Sequence, residues 1–297
     1  MDLWHSGNMR ATSVVSRPRH LVWWWAALLL AVMGVIEYWF FVTQRPGQWA
    51  DQVAFAAWTR WWPRTGLDSP VRDFLDLLPT LCAAIATVFL IYRVIRDRRF
   101  SRAMLASVAV VAAVGSTQLL KHVLLVRPDY NFGTTMNSFP SGHTTTAAAA
   151  MALMYVVSPP KLRPVIGPVA WGFATITGLA TLISGWHRPS DIAAGFMVAG
   201  FWMVAACAVL QVGQPLSARV RPSRWSRRVG IASLVCWALV IMLSWVLPHP
   251  HIQQVPSWLL ALYAALGVVH IIATALVVGL CLRSVVLGPS RRKARHR

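Results

Sequence analysis

Charge is scarce in this chain. Only 12% of its 297 residues are Asp, Glu, Lys or Arg, against about 25% in a soluble domain. Acidic residues are scarcest, nine against 28 Lys and Arg. With 57% of residues hydrophobic, this excludes a soluble globular domain and indicates an integral membrane protein built as one helical bundle. Cysteine is sparse too. Cys82, Cys207, Cys236 and Cys281 fall inside apolar stretches without metal-type pairing. They are expected as small core or lipid-facing residues, with no disulfide. No cleavable leader is evident: the apolar run after His20 lacks a convincing cleavage site and reads as an uncleaved first span.

What is present is a series of long apolar runs. A spanning helix needs roughly 20 mostly apolar residues. Eight runs qualify as expected spans, at 21–43, 74–94, 103–125, 143–158, 164–185, 190–212, 229–247 and 257–282. The expected fold is therefore all-α, a polytopic membrane helical bundle. The fourth span is short and rich in Ala and Thr, bounded by a turn before it and by Pro159-Pro160 after it. No internal repeat is visible. Lys and Arg favour cytoplasmic loops. The segments 1–20, 93–102, 159–163, 213–228 and 283–297 alternate to one side and hold 21 of the 28. Both termini are thus expected in the cytoplasm. The net charge of +19 is not a nucleic-acid signal, because clusters such as Arg98-Arg99 lie between apolar spans. The tail Arg291–Arg297 is expected to touch anionic lipids of the inner leaflet, at about 1 kcal/mol per cation near the surface.

Three polar islands interrupt the apolar sequence: Lys121 with Arg127-Pro128, Ser138-Phe139-Pro140-Ser141-Gly142-His143, and His187 with Asp191. Ionisable residues near a bilayer are costly and usually mark function. The orientation brings all three to the outer ends of spans three to six. Ser141 is a natural helix N-cap, and Gly142 allows close approach of a ligand to the backbone. The fourth span begins there, so its free N–H groups and positive dipole end suit an anion. His143 lies in the first turn. Pro189 and Ser190 look like another helix start, and Asp191 can accept the His187 imidazole N–H from four residues away. That fixes the tautomer and leaves the other nitrogen free as a nucleophile. Lys121 and Arg127 suit phosphate oxygens. Each island alone also fits a bland account: a capped helix with a chance histidine, a cap with an interfacial histidine, or snorkelling cations. The last runs against the positive-inside trend.

Together the islands resemble the type-2 phosphatidic acid phosphatase superfamily, membrane phosphatases related to vanadium haloperoxidases. Its signature is Lys followed by Arg-Pro, then Pro-Ser-Gly-His, then Ser-Arg with His and, four later, Asp. Pro140-Ser141-Gly142-His143, Arg127-Pro128, His187 and Asp191 carry the likeness. The resemblance implies a six-helix core over 21–213, which leaves a basic cytoplasmic tail at 1–20 and two added transmembrane helices with a basic tail in 214–297. It implies His187 as the nucleophile that forms a phosphohistidine, and Asp191 as the group that orients it. His143 becomes the general acid, then the base that activates water. Lys121, Arg127, Ser141 and the amides of Gly142 and His143 hold the phosphoryl oxygens. No metal or other cofactor is required, and no His/Asp/Glu cluster of metal-ligand spacing occurs beyond the islands.

The chain departs from the signature twice. Five residues, not six, separate Lys121 from Arg127, which rotates a helical side chain by roughly 100°. The family Arg six before the nucleophile is Thr181, preceded by Ala180. Arg188 is the nearest substitute clamp, with Arg64 and Arg72 behind it. The implied activity is metal-independent hydrolysis of a lipid phosphate or diphosphate at the extracytoplasmic face. Phosphatidate, phosphatidylglycerol phosphate and polyprenyl diphosphate remain open as substrates. Phosphotransfer to a lipid or sugar hydroxyl is an alternative, as is a transporter on the same fold, which would not need the His143, His187 and Asp191 trio. Elsewhere, Phe55, Trp58 and Trp62 have helical spacing and suggest an amphipathic helix in the outer interface, or an ordinary aromatic belt. Glu37 is expected to snorkel, pair with another helix or face the site. His249 and His251 suggest a solvated turn, and His270 a bond within the bundle.

Overall fold

The computed structural model describes residues 20–62, 68–97, 100–132, 136–211 and 223–286. These form nine α-helices: α1 (His20–Glu37), α2 (Arg45–Trp61), α3 (Asp68–Asp97), α4 (Phe100–Leu119), α5 (Gly142–Val157), α6 (Arg163–Ile183), α7 (Pro189–Gln211), α8 (Arg224–Val246) and α9 (Ser257–Val286). No strand occurs among the described residues. Helices α1 and α4 widen into π-helical turns at Tyr38–Thr43 and Leu120–Leu124. The basic tails, Arg98-Arg99 and Arg64 lie outside the described residues.

Among the described residues, seven helices are long and apolar enough to cross a membrane: α1 and α4 with their π turns, α3, α6, α7, α8 and α9. The protein is an integral multi-pass membrane protein. The fourth expected span, 143–158, is α5. It has 16 residues, or about 24 Å at 1.5 Å per residue, short of the ~30 Å hydrocarbon core. Instead of facing lipid along its length, α5 is the buried centre of the bundle. Ala147, Ala148, Ala149 and Ala152 are fully buried, and α3, α4, α6 and α7 surround them. Small side chains let helix backbones approach closely where lipid supplies no hydrophobic contrast.

Both ends of α5 are satisfied by partners. Ser141 caps its start, accepting the Thr144 N–H at 3.3 Å. At its end, Arg93 Nε donates to the Val157 carbonyl, and Arg163 donates to the carbonyls of Val156, Ser158 and Val286. These arginines occupy carbonyls that a helix end leaves unpaired. The other central helix, α7, packs against α1, α4, α5 and α9. One turn after Asp191, Gly195 permits this contact: a Cβ there would lie 3.0 Å from the Ser141 carbonyl oxygen and from Thr144 Cβ.

The expected aromatic interfacial helix exists as α2, but it is built into the protein. Trp49, Val53, Ala54 and Ala57 are buried, and α2 lies along α9. Trp58 Nε1 donates to the Ala264 carbonyl at 3.2 Å, and Trp49 Nε1 to that of Pro250 at 2.9 Å. Glu37 is fully buried and pairs with other helices. It accepts His270 Nε2 of α9 at 2.6 Å and Trp237 Nε1 of α8 at 3.1 Å.

Candidate active site

The ends of α4 and α6 and the starts of α5 and α7 meet at one end of the bundle. The Ser141 N–H donates to the Asp191 carbonyl at 2.8 Å, tying the start of α5 to that of α7. His143, in the first turn of α5, is half-buried. Its ring lies 5.0 Å from that of Trp186 and 6.2 Å from that of His187, centroid to centroid. The segment before α7 is held by α6: the N–H groups of Trp186 and His187 donate to the Thr181 carbonyl at 3.0 and 3.2 Å. Gly185 makes the reversal with a φ of 76°, a conformation that costs glycine little. Thr181 itself is fully buried, and its hydroxyl donates to the Gly178 carbonyl at 2.7 Å.

Asp191 is the hub. Its Oδ2 accepts Ser138 Oγ at 2.6 Å and the Arg188 N–H at 3.0 Å, and lies 3.7 Å from His187 Nδ1. Its Oδ1 accepts Arg127 Nη2 at 3.4 Å. Arg127 and Asp191 are both buried. His187 Nδ1 and Arg127 Nε are buried without hydrogen-bond partners, two groups that an incoming oxyanion or a small shift of Asp191 would satisfy. Arg188 reaches away from the backbone to Ser138 Oγ (3.0 Å) and Gln52 Oε1 (2.9 Å), with its guanidinium 5.7 Å from the Phe55 ring centre.

A second carboxylate stands behind the first. Asp51 of α2 accepts the Ser190 N–H at 3.0 Å and the Ser190 hydroxyl at 2.6 Å. Burial, and then the charge of Asp191, pushes its carboxyl up to about 6, against the pull of Arg127, the Ser190 bond and Arg188.

Of the expected site residues, His143, His187, Asp191, Arg127 and Arg188 come together. Ser141 is fully buried, with its hydroxyl used as the α5 cap. Gly142 is half-exposed at that helix start, and a Cβ there would meet only Gln118 Nε2, at 3.5 Å. Lys121 sits at the rim in the π-helical turn, near enough for its charge to act on His143. That turn winds by fewer degrees per residue than an α-helix, which alters the register of Lys121 relative to Arg127. Arg72 is exposed on α3. Among the described residues no three His, Cys, Asp or Glu side chains form a set that could hold a metal ion. Sequence reasoning gave no role to Ser138, Asp51, Gln52 or Trp186.

Residues 102–215 match the family model of the PAP2 superfamily. The PAP2 match contains every polar island from Lys121 to Asp191 and spans α4 to α7. Members of the PAP2 superfamily are phosphatases acting on phosphate esters. Helices α1, α2, α3, α8 and α9 lie outside the PAP2 stretch. Comparison with curated proteins and with solved structures gives no significant match.

Proposed function

We propose that this protein is a membrane phosphatase that hydrolyses a phosphate or diphosphate group carried by a lipid. The observation that carries the reading is the cluster around Asp191, with two imidazoles and Arg127 beside it at the start of two helices. Helix N-termini and guanidinium forks hold phosphoryl oxygens. With Asp191 facing His187 Nδ1, His187 Nε2 attacks phosphorus as the bond to the leaving oxygen breaks, and His143 gives that oxygen a proton. Water then attacks the phosphohistidine, and His143 takes the water proton. The P–N bond breaks, and inorganic phosphate leaves. Arg127, Lys121 and the amides of Gly142 and His143 stabilise the charge that develops on the phosphoryl oxygens.

A lipid-borne substrate is supported by the surroundings. Val123, Leu124, Val126 and Met136 are exposed apolar residues flanking Lys121, Arg127 and Ser138. Such a border lets an acyl chain lie against the bundle while its headgroup reaches the site. The cation distribution supports an extracytoplasmic site. Asn131→Cys in intact cells should react with an impermeant thiol reagent, and protection of that cysteine would reverse the orientation. The activity itself is tested by phosphate release from phosphatidate, phosphatidylglycerol phosphate and polyprenyl diphosphate, with purified protein and a chelator present. Release from at least one is expected. Release from none, by folded protein, would refute the proposal.

A further inference from the structure

Helix α2 lies outside the PAP2 stretch, yet one of its faces grips two of the polar islands. Residues 48, 52, 55 and 59 recur at intervals of four, three and four, and 51 lies three after 48 and four before 55, so the five share that face. Gln48 Nε2 donates to the carbonyls of Val42 (2.7 Å) and Pro128 (2.8 Å), which anchors the Arg127-Pro128 segment. Asp51 takes both the N–H and the hydroxyl of Ser190. Gln52 takes Nε of Arg188, and Phe55 lies against the same guanidinium. Thr59 and Phe55 border Gly185, where the chain reverses toward His187.

The chemistry of these contacts is specific. The Ser190 N–H is one of the donors that the start of α7 leaves without a partner in its own helix. A carboxylate at that position satisfies it and complements the helix dipole. Asp51 is thus a cap for α7 supplied by another helix. Asp191 closes the same turn from within, through the Arg188 N–H. Arg188 donates through two different nitrogens, to Gln52 and to Ser138, and Ser138 in turn donates to Asp191. Helix α2 therefore reaches Asp191 by two chains of contact, through Ser190 and through Arg188 and Ser138.

We propose that Asp51 and Gln52 are positioning residues that hold the 187–191 segment in register with the phosphoryl group. The inference rests on the phosphatase reading, and it moves part of the active site's construction onto a helix outside the PAP2 stretch. Neither residue touches the reacting atoms. Each acts through a neighbour: Asp51 through Ser190, Gln52 through Arg188. Misplacement of a reacting group by about an ångström can cost roughly a hundredfold in rate, so loss of these contacts should appear in kcat.

The test uses the full chain in lipid nanodiscs. Turnover is measured with whichever of phosphatidate, phosphatidylglycerol phosphate or polyprenyl diphosphate the wild type hydrolyses fastest, and inorganic phosphate serves as the competing anion. Gln52 is half-buried, so Gln52→Ala should fold as the wild type does. It should lower kcat about tenfold or more while leaving KM and phosphate inhibition within about threefold. Gln52→Glu, which keeps an acceptor for Arg188, should recover most of the rate. Asp51→Ala should lower kcat by about a hundredfold, and Asp51→Asn, whose carbonyl still accepts the Ser190 N–H, should lose distinctly less. If the wild type is active and Gln52→Ala keeps a normal kcat, the inference falls and the phosphatase reading stands. Equal losses in Gln52→Ala and Gln52→Glu would also overturn it. A wild type inactive on all three lipids would overturn both.

Discussion

Oδ2 of Asp191 lies 3.7 Å from Nδ1 of His187, one helical turn back in sequence. The same oxygen accepts Ser138 Oγ and the Arg188 N–H, and the other faces Arg127. All of these neighbours are donors. A carboxylate can accept from every one, and an amide cannot. Asp191→Asn would turn an NH2 group toward at least one donor and remove the charge that stabilises a cationic His187. The expected result is a fall in kcat of about a thousandfold on the scale of a lost oxyanion donor, with the elution profile and melting temperature showing folded protein. A variant within tenfold of wild type would remove Asp191 from the mechanism.

Arg188 donates from Nε to Gln52 and from Nη1 to Ser138. It ties α2 to the 138–143 segment beside the nucleophile, at the end of the site where Thr181 offers no cation. Arg188→Ala should slow turnover by roughly a hundredfold. Arg188→Lys should not restore it, because an ammonium cannot reproduce two donors at fixed separation. Steady-state kinetics of the two variants decides this. Full rescue by Lys would mean that only charge matters there.

Glu37 and His270 form a buried pair 2.6 Å apart, with Trp237 as a third member. It joins α1, α8 and α9 in the apolar interior. Removing one partner of a buried pair costs about 3–5 kcal/mol, whereas replacing both by apolar residues is often neutral. Glu37→Leu should therefore lower the melting temperature followed by tryptophan fluorescence. Adding His270→Leu should restore much of it. A double variant worse than either single one would show that the pair contributes net stability.

The apolar runs located seven spanning helices, because hydropathy over roughly 20 residues reflects a constraint the bilayer imposes on every spanning segment. The same runs include α5, but hydropathy does not show its place at the enclosed centre of the bundle. Its alanines are apolar enough for lipid, and only the packing of four neighbouring helices shows them enclosed. The polar islands were legible because each is short and contiguous. Ser138 stood inside one of them, but its bond to Asp191 crosses 53 residues of sequence. Asp51 and Gln52 carry no such signature, because the helical spacing of Phe55, Trp58 and Trp62 marks only the aromatic face of that segment. Their partners lie 139 and 136 residues away, and no local pattern links them. One signal was available: Asp51 is one of only nine acidic residues in the chain and lies in an apolar, aromatic-rich stretch, where an ionisable group is costly.

In the proposed mechanism His187 carries phosphate during turnover. The direct measurement is rapid quenching of the purified protein with labelled lipid phosphate, followed by mass spectrometry of the peptide containing residue 187. The expected result is a phosphate on His187 that survives base and is lost in acid, accumulates in His143→Ala if hydrolysis of the intermediate is slowed more than its formation, and is absent in His187→Ala. Turnover by a His187→Ala protein, or a label borne by another residue of the active wild type, would contradict it.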